Sequence, residues 1–264
     1  MTEQKLIEKG YFAKELPPQF VTYPLANKLS TINAAWNSRL SSLTKPRKQF
    51  FSETKSTIYN IPKVGLSRRV ISIPNPVHQT NLVETIINRW NEIDLILTKS
   101  NSSYSKPKED LQNTRAYVTE HNFTSFKRAR FIGSFDNYHQ VKSDISKFYG
   151  SIYTHSIPWI MHTKPVAKIN RADNTLIGNL LDKILRTGNS GQTVGIPVGP
   201  DTSLIIAEII NCEIDNILQN KFKSNNIKFF RYIDDIYIYC DSYTEAEQAF
   251  KFYQKTLSEY QLEY

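Results

Sequence analysis

Two short apolar runs separated by adjacent carboxylates constrain this chain more than any other feature. Residues 227–233 and 236–240 are rich in β-branched and aromatic side chains, and Asp234-Asp235 falls between them. Runs of this length read as strands, and Asp between them reads as a hairpin turn. Taken alone, Asp-Asp at a hairpin tip is ordinary turn chemistry. Residues 139–145 have strand character as well, and Asp144 lies at the end of that run. Carboxylates gathered at strand ends repel one another unless a cation or basic group lies between them.

Helical patterns surround these strands. Residues 174–186 carry Leu176, Ile177, Leu180, Leu181, Ile184 and Leu185 on one broad face, ending near Gly188. Residues 202–222 repeat the pattern with Ile206, Ile209, Ile210, Ile214, Ile217 and Leu218. Further helices are expected over 26–43, 82–97 and 148–162, and Thr244-Glu245-Ala246-Glu247 reads as a capping box opening one that runs to about 260. A β-hairpin is expected over 57–73 with Gly65 in its turn, a loop over 98–110, and no clear pattern over 114–130. This order predicts an α+β fold in which helices cover one side of an antiparallel sheet.

Composition excludes several alternatives. At 264 residues the chain is long enough for a hydrophobic core without a staple. Cys212 and Cys240 form no Cys-x-x-Cys pair, which argues against a zinc ribbon or disulfide scaffold. No apolar window approaches 18 residues and no signal-like segment opens the chain, so a cytoplasmic protein without a membrane partner is expected. With 33 Lys+Arg against 25 Asp+Glu, the net charge of +8 makes nucleic acid the first partner to consider. Lys and Arg at 45–48 and 127–130 are candidates for phosphate contacts, with solvated surface charge as the competing reading. His155 and His162 read as structural. Hard divalent cations prefer oxygen ligands, and two of them can stabilise both oxygens of an in-line phosphoryl displacement, so Mg²⁺ is the natural partner of the aspartates.

Read in order, the pieces resemble the palm motifs of reverse transcriptases. Ser143-Asp144-Ile145-Ser146-Lys147-Phe148-Tyr149 looks like the first, Gly195-Ile196-Pro197-Val198-Gly199-Pro200-Asp201 like the second, and Tyr232-Ile233-Asp234-Asp235 like the third. Arg69-Val70-Ile71-Ser72-Ile73-Pro74 resembles the fingers strand whose Arg contacts the triphosphate, with Arg68 and Lys63 as neighbours. Flanking segments, among them Gly10-Tyr11-Phe12, Ser103-Tyr104-Ser105-Lys106-Pro107 and Tyr153-Thr154-His155-Ser156-Ile157-Pro158-Trp159, look like the abortive-infection and related defence-associated reverse transcriptases of bacteria.

The resemblance implies a right-hand polymerase fold: an N-terminal helical arm over 1–56, fingers over 57–137, and a palm over 138–264 with a fingers contribution around 165–194. It also implies a DNA polymerase that uses deoxynucleoside triphosphates in antiphage defence, with template-independent or protein-primed synthesis known among family members. Asp144, Asp234 and Asp235 would be catalytic, and together with the Ile145 carbonyl they would hold two Mg²⁺ ions, or Mn²⁺ in their place. Arg69, Arg68, Lys63, Tyr149, Phe148, Pro197, Val198 and Gly199 would line the nucleotide site, with Tyr149 excluding the 2′-hydroxyl. Partners would be DNA and an RNA template.

Two departures stand out. Val198 occupies a position where many reverse transcriptases have Gln, removing a polar contact near the nucleotide. Residues 261–264 begin what should be the next palm strand, and the fourth motif, primer grip and thumb do not follow. The expectation is that a C-terminal region or another copy of the chain completes the protein. A non-catalytic nucleic-acid-binding or assembly module that retains the fold is the competing reading.

Overall fold

In the computed structural model, which describes residues 1–17, 19–44, 52–62, 65, 68–223 and 226–264, one long helix organises the core. The elements before it are α1 (Glu3–Gly10), α2 (Tyr23–Ala26), α3 (Leu29–Ser41), β1 (Thr57–Pro62), β2 (Arg68–Ile73), α4 (Pro76–Asn88), α5 (Trp90–Leu97), β3 (Pro107–Glu109), β4 (Tyr117–Thr119), α6 (Phe123–Gly133), β5 (His139–Ser143), α7 (Phe148–Ser151), α8 (Ser156–His162), α9 (Lys164–Ile169) and α10 (Ile177–Thr187). The central helix α11 (Asp201–Phe222) follows, then β6 (Lys228–Tyr232), β7 (Asp235–Cys240) and α12 (Tyr243–Glu259).

Ile205, Ile206, Ile209, Ile210, Ile214 and Leu218 of α11 are all buried, so this helix is enclosed by its neighbours. It packs on α1, α4, α5, α8 and α12. Leu6 and Ile7 of α1 belong to the same core, which joins the N-terminal helix to the body of the fold.

The principal sheet is antiparallel in the order β5-β7-β6. Its residues alternate between faces as the pleat requires. Phe229, Ile236, Ile238 and Cys240 join the main core, whereas Tyr237 and Tyr239 form a second cluster with Phe126 of α6. The sheet therefore carries helices on both sides, α12 against β5 and β7 and α6 against β6, and the expectation of a single covered side is corrected. The reason lies in the aromatic parity of β6 and β7, which gives the second face its own apolar surface.

Other local expectations shift for physical reasons. The helix expected over 148–162 is interrupted because Ile152–Thr154 pair their backbone with the 193–195 segment: Gly195 N–H donates to Ile152 O and Thr154 N–H to Thr193 O, each at 2.8 Å. Residues 82–97 break at Arg89, whose side chain pairs with Glu92 and reaches Thr175 O. The 174–186 helix starts at Ile177 because Asp173 Oδ1 accepts from Thr175 N–H in an Asx turn. The capping box is Ser242 with Glu245, two residues before the expected Thr244 and Glu247. The 98–110 loop contains β3, which pairs with β4, and residues 261–264 form no strand.

Candidate functional site

The sheet register brings the acidic residues together. Ser143 of β5 pairs with Ile236 of β7, and Tyr232 of β6 pairs with Asp235. Continuing the first ladder by one step sets Asp144 across from Asp235, and Asp234 sits in the intervening turn. Asp144 is exposed while Asp234 and Asp235 are half-buried. Burial raises the Asp234 carboxyl above the usual carboxylate range, and the negative charges of Asp235 and Asp144 raise it further. A positive charge placed among these carboxylates would relieve that repulsion.

Directly after Asp144 the chain turns inward. The Ile145 side chain is buried, and Ser146 N–H donates to Glu263 O at 2.8 Å. Lys147 adopts a left-handed φ of +47° and opens α7. Phe148 is only 2% exposed and its ring belongs to the core. Tyr149 packs at the edge of that core, and burial pushes its hydroxyl pKa up, reinforced by Glu208 and Asp234.

The turn before α11 is fastened to three elements. Ile196 N–H donates to Tyr149 O at 2.8 Å, and Ser72 N–H of β2 donates to Val198 O at 3.0 Å. Gly199 has φ +129°, and a Cβ there would collide with Ala13, so this position admits only glycine without strain. Arg115 bonds Phe12 O at 2.6 Å and pairs with the Asp201 carboxylate, whose other oxygen accepts from Ala116 and Tyr117 N–H. Pro197, Val198 and Gly199 are half-buried along this turn.

On β2, Arg69 shares a face with Ile71, which is buried against Ala13 and Leu16. Its Nη1 donates to Glu15 Oε1 at 2.6 Å. Arg68 faces the other way, with Nη2 donating to Asn60 O at 3.4 Å. Lys63 and residues 45–48 lie outside the described residues. Arg130 stacks its guanidinium 3.1 Å from the Tyr237 ring centroid and donates to the Tyr239 hydroxyl, while Lys127 lies over Phe123. His155 pairs with Asp182, and His162 Nε2 accepts from Gly178 N–H.

Beneath the Asp234 turn lies an ionic cluster that sequence reasoning missed. Arg231 is 2% exposed, and its guanidinium forks onto Glu208 and Asp215, both 0% exposed. The nitrogen-oxygen distances are 2.8–3.0 Å. Ser103 and Ser105 donate to Glu208 at 2.8 and 2.9 Å, and Ser100 donates to Asp215 at 2.6 Å. Burial drives both carboxyls toward the neutral form. Arg231 and the two serines outweigh burial at Glu208, which is held below its ordinary value, while Asp215 stays above its own. The sequence signal was present: Glu208, Cys212 and Asp215 follow i, i+4, i+7 spacing along one face of the helix, and Arg231 interrupts a strand of aromatics.

Among the described residues, no group of three or more His, Cys, Asp and Glu side chains forms a ready-made metal cage. Magnesium sites at phosphoryl-transfer centres use one or two carboxylates completed by substrate oxygens and water. Paired aspartates whose charges oppose one another fit that donor set.

Residues 61–264 match the family model described as reverse transcriptase (RNA-dependent DNA polymerase). No curated protein sequence matches the chain. Among the described residues no helix is long and apolar enough to cross a membrane.

Proposed function

Because the chain belongs to the reverse transcriptase family, we propose that it acts as a DNA polymerase in bacterial antiphage defence, joining deoxynucleotides by nucleotidyl transfer at Asp144, Asp234 and Asp235. The observation that supports the catalytic part of this reading is the register that pairs Ser143 with Ile236 and Tyr232 with Asp235, which leaves Asp144, Asp234 and Asp235 at one end of the sheet, the charges of the other two acting on Asp234. A primer hydroxyl attacks the α-phosphate of a deoxynucleoside triphosphate, the new O–P bond forms as the bond to the bridging oxygen breaks, and pyrophosphate leaves. Asp144 and Asp234, with the Ile145 carbonyl, would hold Mg²⁺, and Asp235 adds negative potential. Bound there, the metal supplies charge neutralisation for the attacking and leaving oxygens.

In this reading residues 57–137 are fingers and 138–264 palm, with a fingers contribution around 165–194, and the N-terminal segment braces both. Arg69 meets the triphosphate, where a guanidinium can bind phosphate oxygens bidentately, and it leaves Glu15 to do so. Tyr149 packs beneath the sugar and excludes a 2′-hydroxyl. Pro197, Val198 and Gly199 back the nucleotide with main chain and an apolar side chain, and Val198 offers no side-chain polar group to a template base.

Incubating the protein with the four deoxynucleoside triphosphates and Mg²⁺, with and without a primed RNA, tests the proposal. Recovered DNA would then be sequenced and assayed for covalent attachment to protein. Polymer of either templated or untemplated sequence supports it. No deoxynucleotide incorporation with any primer or template contradicts it.

A further inference from the structure

Ile233, the residue immediately before Asp234, has φ +56°. A β-branched side chain avoids this left-handed region, and such strain persists only where the surroundings over-determine it. Here both of its main-chain polar groups are taken by buried side chains. The Ile233 N–H donates to Ser105 Oγ at 2.7 Å. Its carbonyl accepts from Asn211 Nδ2 and Arg231 Nη1, each at 2.9 Å. Ser105 Oγ donates onward to Glu208 Oε1 at 2.9 Å, and the same oxygen accepts from Arg231 at 2.8 Å. The amide and the carbonyl of one strained residue are thus tied to a single buried ion pair. Ser105 and Asn211 are 0% and 1% exposed, so bulk water cannot replace either partner.

We propose that Ser105 and Asn211, backed by Arg231 and Glu208, are positioning residues for Asp234: they clamp Ile233 in the conformation that aims the next carboxylate toward Asp144. This deepens the function proposed above and rests on it, since it takes Asp144 and Asp234 as joint holders of a divalent cation. Without the clamp, Ile233 relaxes out of the left-handed region and carries the Asp234 carboxylate with it. A displacement of about 1 Å at a reacting centre can cost on the order of 100-fold in rate. The clamp therefore acts on the metal site through geometry, without touching metal or substrate.

Ser105→Ala and Asn211→Ala test this, singly and combined, alongside Asp234→Asn and the parent. Mn²⁺ binding is titrated by electron paramagnetic resonance of the free ion, circular dichroism reports folding, and steady-state incorporation gives kcat and KM. The clamp predicts that each single variant stays folded and binds Mn²⁺ at least about tenfold more weakly. It also predicts that kcat falls while the nucleotide KM stays within about threefold, and that excess metal partly restores kcat. Folded single variants with parental Mn²⁺ affinity and kcat overturn the clamp, while a weakened Asp234→Asn in the same series leaves the carboxylate assignment standing. Parental Mn²⁺ affinity in Asp234→Asn overturns that assignment and the clamp with it.

Discussion

Replacing Arg231 with Met should be among the most destabilising single changes this protein can suffer. The guanidinium is buried and is the shared partner of Glu208 and Asp215, so its loss strands two carboxylates that are inaccessible to water. Removing one partner of a buried ion pair costs about 3–5 kcal/mol, and two stranded charges place Arg231→Met at the upper end. Total stabilities are about 5–15 kcal/mol, so a large part of the fold's margin is lost. For a chain of this size 1 kcal/mol corresponds to about 2–4 °C in Tm, which makes the expected drop about 10–20 °C.

Urea unfolding followed by circular dichroism, together with thermal melts at pH 7, measures this loss. The sign of the pH dependence is a second check. Stranded buried carboxyls have folded-state pKa values above their unfolded ones, so stability is present at low pH and lost as pH rises through the folded values. The gap between variant and parent should therefore narrow on acidification. Combining Arg231→Met with Glu208→Gln and Asp215→Asn removes the stranded charges and should recover about half of the loss or more. An Arg231→Met protein within about 1 kcal/mol of the parent would refute the reasoning, and so would a triple variant no more stable than the single one.

Three further outcomes are expected. Glu15→Gln frees Arg69 from a largely exposed ion pair worth at most about 1 kcal/mol, so the nucleotide KM should fall by up to about fivefold with little change in Tm; a raised KM would mean that Glu15 orients Arg69 rather than competing for it. Tyr149→Ala should lower the preference for deoxynucleotides over ribonucleotides by about tenfold or more, and an unchanged ratio removes the gate role. Asp110 accepts from Gln112, Thr114 and Arg115 N–H and from the Thr114 hydroxyl, which hold its pKa down to about 2 against an ordinary 3.8. Its contribution to stability is therefore complete above 3.8 and lost as pH falls through about 2. A carboxyl resonance titrating near 3.8 by NMR would contradict that assignment.

The strands and the long helices were legible because their periodicities come from burial itself. The β6–β7 hairpin, the β5 strand and α11 fall within a few residues of where the apolar patterns put them, and register alone then brings the end of β5 beside the start of β7, where the aspartates lie. What escaped reading depends on partners distant in sequence. The break after Ser151 arises because Ile152–Thr154 pair with residues near Gly195, so a helical pattern yielded to backbone pairing. Phe148 and Tyr149 are adjacent aromatics, the first buried in the core and the second packed at its edge, and the left-handed turn at Lys147 precedes both. The Arg231 cluster joins three segments, of which only the Glu208–Asp215 spacing was local enough to see. Its serines, Ser100, Ser103 and Ser105, lie in a stretch that reads as a loop, the last two within a segment notable only for its family resemblance, and their packing role appears only once Arg231 lies beside them.

The most direct measurement of the central claim is Mg²⁺-dependent incorporation of labelled deoxynucleotides by the parent protein and by Asp144→Asn and Asp234→Asn. Each variant is first shown by thermal melting to hold its Tm within about 5 °C of the parent. If the carboxylates at the ends of β5 and β6 carry the chemistry, the parent incorporates label and each variant loses at least about a thousandfold of that rate, a loss of about 4 kcal/mol of transition-state stabilisation. Incorporation by either variant at the parental rate would contradict the account.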